Sequence, residues 1–135
     1  MDAKAKLALH EKSILVCRSA SIKDEVINTV ADLNHWYVER IDDETALVER
    51  VQSYRYDVLI VGISDNPDRT LSVLSKMVEL SPDTIRIVVA GGLSPSHAAR
   101  VSELSHSSLP EECTDIQISI AVEQALKVGG LIKKP

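Results

Sequence analysis

The sequence predicts a single α/β domain in which a parallel sheet of five strands carries helices on both faces. Three observations predict it. Short apolar runs alternate with helical patterns five times, the mark of strands joined by crossover helices. The run Val58-Leu59-Ile60-Val61 has no polar interruption, as a strand buried on both faces requires. A length of 135 residues gives room for one such core and not for two.

The first strand is Ser13-Ile14-Leu15-Val16-Cys17. Ser21 then caps a helix whose Val26, Ile27, Val30 and Leu33 recur at helical spacing. Trp36 to Ile41 alternates apolar and polar residues, which predicts a second strand at a sheet edge with one wet face. Asp42 or Asp43 caps a helix carrying Leu47, Val48 and Val51. After the third strand, Asp65, Asn66, Pro67 and Asp68 form a turn, with Asp68 as cap of a helix marked by Leu71, Leu74, Met77 and Val78. Ser81-Pro82-Asp83 ends that helix, and the fourth strand, Ile85 to Val89, runs into Gly91-Gly92. Ser94-Pro95 joins a capping residue to a proline at the first helical position, and Ala98, Val101 and Leu104 continue the helix. Ser107-Ser108-Leu109 is a fifth strand by its place in the alternation alone, being short and polar. Thr114 and Gln117 make a capping box for a last helix through Ile116, Ile120, Val122 and Leu126, and Gly129-Gly130 ends the fold. The expected domain covers residues 13–127, between an N-terminal extension of residues 1–12 and a tail or linker start at residues 128–135.

Composition narrows the function classes. Hydrophobic residues at 44% and charged residues at 26% are the balance of an ordinary globular protein. Aromatics are only 3%, with no Phe, so the core is aliphatic and a base-stacking nucleic-acid surface is not expected. A net charge of −5 argues further against a phosphate-backbone partner. No apolar run approaches the roughly 20 residues of a membrane helix. The stretch Met1 to Leu7 lacks the apolar core of a secretory signal. Cys17 and Cys113 each adjoin a strand, where a reduced cysteine acts as a small hydrophobe, so the protein is expected to be cytoplasmic. His10, His35, His97 and His106 show no ligand spacing, so no metal site is expected. No phosphate-cradling glycine motif points to a cofactor, and no serine sits in a G-x-S-x-G elbow. Gly91-Gly92 reads as a plain loop entering the Ser94 cap.

Five β-α units in one small domain suggest a flavodoxin-like sheet, which many unrelated functions share. The local text is more specific. Tyr56-Asp57-Val58-Leu59-Ile60-Val61-Gly62-Ile63 resembles the third strand of response-regulator receiver domains. Leu80 to Gly91 is similar to the approach to their fourth strand, closest to receivers fused to HD-type signalling domains. Leu104-Ser105-His106 through Glu111-Glu112-Cys113 falls where that subset carries a His-x-x-x-x-Lys-Pro-Cys pattern. The resemblance spans Ser13 to Lys127 and implies the strand order 2-1-3-4-5 with right-handed crossovers. The helices after the first and fifth strands would then lie on one face, and the other three on the opposite face.

The resemblance also implies an aspartyl phosphorylation site at the C-terminal strand ends, and there the chain departs from the pattern at all five positions. The two acids that hold Mg²⁺ align with Arg18 and Ser19, although Mg²⁺ needs hard oxygen ligands. The nucleophilic aspartate aligns with Gly62, the switching hydroxyl with Ala90, and the lysine that pairs with the phosphoryl group with Glu111. Shifting the register toward Asp65 or Asp68 supplies no lysine, since none lies between Lys76 and Lys127.

These departures lead to the expectation of a degenerate receiver of two-component phosphorelay signalling, with no catalytic residue and no cofactor. Its partner would be a signalling protein, an output domain in a longer chain, or a second copy. The resemblance places the contact face on the fourth helix, fifth strand and fifth helix, with His97, Arg100, Val101, Leu104, Ile118 and Val122. Core packing competes for the apolar members, while the last helix has more apolar residues than one face needs. The alternative is a small-ligand or enzymatic domain whose crevice at the strand ends is lined by Arg18, Ser19, Ser64 and Glu111. An ion pair between Arg18 and Glu111 across that crevice is a further expectation.

Overall fold

The apolar runs become the strands of one parallel sheet in a computed structural model that describes residues 13–17, 28, 36–63 and 66–133. The strands are β1 (Ser13–Cys17), β2 (Tyr37–Ile41), β3 (Val58–Gly62), β4 (Ile85–Val89) and β5 (Ser107–Leu109). They lie in the order β2-β1-β3-β4-β5, every neighbouring pair parallel, as expected. The register pairs Cys17 with Val61, Gly62 with Val89 and Val89 with Leu109, so four strands end close to one edge.

The described helices are α1 (Glu44–Ser53), α2 (Pro67–Leu80), α3 (Pro95–Leu104) and α4 (Asp115–Lys133). Side chains alternate across a strand, so β1, β3 and β4 each feed two cores. Ile14, Val16, Val58, Ile60, Ile87 and Val89 pack against Ile118, Ala121, Val122 and Ala125 of α4. Leu15, Leu59, Val61 and Val88 pack against Leu47, Leu71, Leu74, Met77, Val101 and Leu104 of α1, α2 and α3. Fully burying one such aliphatic side chain is worth about 1.5–3 kcal/mol. The four described helices therefore divide between the faces as the resemblance implies for them. The expected helix through Val26, Ile27, Val30 and Leu33 lies outside the described residues apart from Asn28, which is helical.

Local chemistry sets the helix starts. Asp43 caps α1 by accepting the Thr45 N–H at 3.0 Å. Ser94 caps α3 ahead of Pro95. Thr114 and Gln117 close their box reciprocally: the Gln117 N–H reaches Thr114 Oγ1 at 3.2 Å and Gln117 Oε1 accepts the Thr114 N–H at 2.8 Å. At α2 the structure corrects the sequence reading. The cap is Asn66, which accepts the Arg69 N–H at 3.3 Å, while Asp68 lies inside the first turn. Pro67 decides this, because a proline takes the first helical position and makes the residue before it the cap.

A second correction concerns the end of α4, which runs through Gly129-Gly130 to Lys133. Glycine stops a helix when it turns left-handed at the position after the cap. Among the described residues the glycine with a positive φ is Gly92, not either of this pair. Among the described residues, no helix is long and apolar enough to cross a membrane.

Candidate functional site at the C-terminal strand ends

A parallel sheet ends its strands on one edge, and there the loops gather. Gly62 closes β3, is buried, and is followed by Ile63, whose N–H donates to Val89 O at 3.0 Å. Ala90 follows β4 and donates its N–H to Leu109 O at 3.0 Å. Glu111 lies in the exposed turn after β5, which is closed by the Cys113 N–H donating to Pro110 O at 3.1 Å. The Glu111 side chain lies over the β4–α3 loop: a Cβ placed on Gly91 would stand 2.9 Å from Glu111 Oε2 and 3.2 Å from its Cβ. Gly62, Ala90 and Glu111 thus share one edge. Arg18, Ser19, Ser64 and Asp65 lie outside the described residues, and with them the expected Arg18–Glu111 pair and most of the alternative crevice.

The two adjacent glycines have separate causes. Gly91 leaves room for the Glu111 carboxylate, and Gly92 has φ 66°, where a side chain is strained. The Glu111 charge beside Gly91 disfavours an anion there.

Gly62 has no side chain and Ala90 only a methyl, so neither position supplies a nucleophile or a side-chain oxygen for Mg²⁺. Among the described residues no three His, Cys, Asp or Glu side chains gather in a way that would hold a metal. The donor set at these positions does not fit the ion. Cys17, at the end of β1, is no substitute nucleophile. Burial first, then the negative charges of Glu44, Asp43 and Asp42, push its thiol up to about 12.

Sequence reasoning missed a contact beside this edge. His97 of α3 engages Asp68 of α2 through Nε2, at 2.9 Å to Oδ1, and Ser94 Oγ through Nδ1 at 3.0 Å. A carboxylate only accepts, so Nε2 carries a proton. The clasp ties the N-termini of α2 and α3, the helices that leave β3 and β4 here. Its signal was Ser94-Pro95-Ser96-His97, a cap followed three residues later by a second hydrogen-bonding side chain, but Asp68 is too distant in sequence to pair by spacing.

The expected contact face is corrected in its apolar members. Val101 and Leu104 belong to the core beneath α3, and Ile118 and Val122 are 0% exposed. Core packing claims them because 118, 121, 122 and 125 form the inward stripe of α4. The outward apolar residues of α4 are Ile116 and Ile120, 60% and 48% exposed. Arg100 is exposed and bonded to Glu103 at 2.7 Å.

No protein-family model and no curated protein sequence matches the chain. Solved structures do. The chain is similar to a CheY-like response-regulator receiver domain from Methanospirillum hungatei JF-1, with a TM-score of 0.78 at 16% identity, over 88% of this chain and 96% of that one. The chain has the receiver fold. A second receiver, from an HD domain-containing protein of Pseudomonas fluorescens Pf-5, superposes with a TM-score of 0.70 at 19% identity, covering 88% and 97% of the two chains. A third, from a modulated diguanylate cyclase of Desulfovibrio desulfuricans G20, gives 0.77 at 11% identity, covering 90% and 98%. Within the receiver fold the edge that carries Gly62, Ala90 and Glu111 is the edge where the resemblance implied phosphorylation. Identities this low carry the architecture and not the chemistry.

Proposed function

We propose that this receiver-fold chain is a signalling module that takes no phosphoryl group at its strand ends and acts through protein–protein contact. The observation that carries the reading is Gly62 at the end of β3, the strand end where a phosphate acceptor would need a side chain. Phosphoryl transfer relies on a placed nucleophile and on positive charge around the transferred group. Ala90 brings no hydroxyl, and Glu111 brings a negative charge where a cation would be needed. The His97–Asp68 clasp ties α2 to α3 beside this edge, and the Glu111 side chain lies over Gly91.

In this reading the chain is not an enzyme and works in the cytoplasm. Residues 13–127 are the receiver-like unit, residues 1–12 an extension, and residues 128–135, into which α4 continues, a tail or the start of a linker. The partner is a signalling protein, an output domain of a longer chain or a second copy. It meets the side of α3, β5 and α4, with Arg100 exposed on α3 and Ile116 and Ile120 exposed on α4. The test is a titration with beryllofluoride and Mg²⁺, a phosphoryl mimic, monitored at the amide resonances of Gly62, Ala90 and Gly91. They are expected to stay in place. Saturable shifts confined to these loops would overturn the reading.

A further inference from the structure

β5 is the element least able to form by itself: three residues, two of them serine, at a sheet edge. Its attachment to β4 starts with an unusual pair of bonds. The His106 N–H donates to Arg86 O at 2.8 Å in the ordinary way. The return bond, from the Arg86 N–H, goes to the imidazole Nδ1 of His106 at 2.9 Å. A side chain thus stands where a strand would offer a carbonyl. Nδ1 can accept only while unprotonated, so the pairing admits the neutral ring with its proton on Nε2.

The surroundings oppose a second proton. From β4, the neighbour bonded to His106 is Arg86, a cationic residue only 8% exposed. The Arg86 guanidinium is bonded to Leu104 O at 2.7 Å and Thr84 O at 3.1 Å, with no carboxylate paired to it among the described residues. From α3 the adjoining residues are Leu104 and Ser105, uncharged, and Glu103 beyond them is paired with Arg100. From α4 the neighbours are Ala121, Gln124 and Ala125, which with His106 and Ser107 line a hollow of about 240 Å³ between β5 and the helix. Burial first, and then the Arg86 charge, hold His106 below the ordinary histidine value.

We propose that His106 is a proton-sensitive latch on the edge strand: neutral, it completes the β4–β5 pairing, and on protonation it withdraws the acceptor from the Arg86 N–H and loosens β5 beside α4. The sign comes from the depressed value. Above the ordinary histidine pKa of about 6.5 the latch is closed and its contribution is whole. That contribution is lost as pH falls through the lower value of the folded protein. The latch stands apart from the strand-end site. Only its consequence, a partner face on α3, β5 and α4 that responds to protons, rests on the function proposed above.

The experiment is an NMR titration of the whole chain from about pH 8 to about pH 5, the range in which histidine changes charge. The His106 ring is expected to titrate below the ordinary value. Along that curve the Arg86 and His106 amides should lose exchange protection by roughly tenfold relative to β1 and β3, the equivalent of one net hydrogen bond. His106→Asn offers an oxygen near the place of Nδ1 and does not titrate, so it should keep the pairing and abolish the pH dependence. His106→Leu should show the loosened edge at every pH. The latch is overturned if His106 titrates at or above its ordinary value, or if the Asn variant loosens with pH as the wild type does. Protection lost equally through the whole core would also overturn it. Failure of partner binding with the titration intact would sink the function and leave the latch standing.

Discussion

At the residue scale, Gly91 and Gly92 separate two reasons for a glycine. Gly92→Ala forces a side chain into the left-handed region and should cost about 1–2 kcal/mol, and Gly92→Asn less, measured by urea denaturation. Gly91→Ala meets Glu111 Oε2, which can swing away, and Glu111 Cβ at 3.2 Å, which needs only a few tenths of an ångström of yielding in an exposed turn, so its cost should be the smaller. A larger loss at Gly91 would mean that the Glu111 contact is rigid. That Gly62, Ala90 and Glu111 fall at strand ends and in a turn was legible because apolar runs and turn residues punctuate the sequence, whereas the receiver resemblance was what singled them out. The Glu39 network was not. Its carboxylate accepts from Tyr56 Oη at 2.6 Å and from Tyr37 Oη at 3.3 Å, and it pairs with Arg50, which in turn stacks 4.6 Å from the Tyr54 ring. It joins β2, α1 and the approach to β3, and only folding brings these together. Cys17 offers another check: with its thiol pushed up to about 12 it should resist alkylation in the native protein, leaving the half-buried Cys113 to react first.

At the element scale, caps were legible and ends were not. Asp43, Ser94 and the Thr114–Gln117 box were marked by residue type and spacing. The end of α4 was misread because a glycine pair signals a stop only when its backbone turns left-handed, which composition does not reveal. The consequence is measurable. In a helix each glycine costs about 1 kcal/mol against alanine, so Gly129→Ala and Gly130→Ala should each raise helicity and stability. A loss in either would restore the pair as the helix end. β5 shows the converse, a strand without strand propensity, held by pairing with β4 and by the His106 ring. The clasp between α2 and α3 should act locally: His97→Ala should raise amide exchange at the first turns of both helices while β1 and β3 keep theirs.

At the scale of the whole molecule, the alternation of apolar runs with helical patterns carried the topology, because a parallel sheet needs a crossover between every pair of strands. Two-sided burial of β1, β3 and β4 bears it out residue by residue. The contact face was harder to see. Counting apolar residues on the last helix showed an excess, but only packing showed that Ile118 and Val122 point inward while Ile116 and Ile120 remain outside. Whether this receiver fold escapes switching by phosphorylation is decided by incubating the intact chain with acetyl phosphate and Mg²⁺ and weighing it by mass spectrometry, beside a receiver that retains its aspartate. An unchanged mass is expected for this chain, and a phosphoryl adduct on the control. A stoichiometric adduct on an aspartate beside Gly62 would contradict the proposed function.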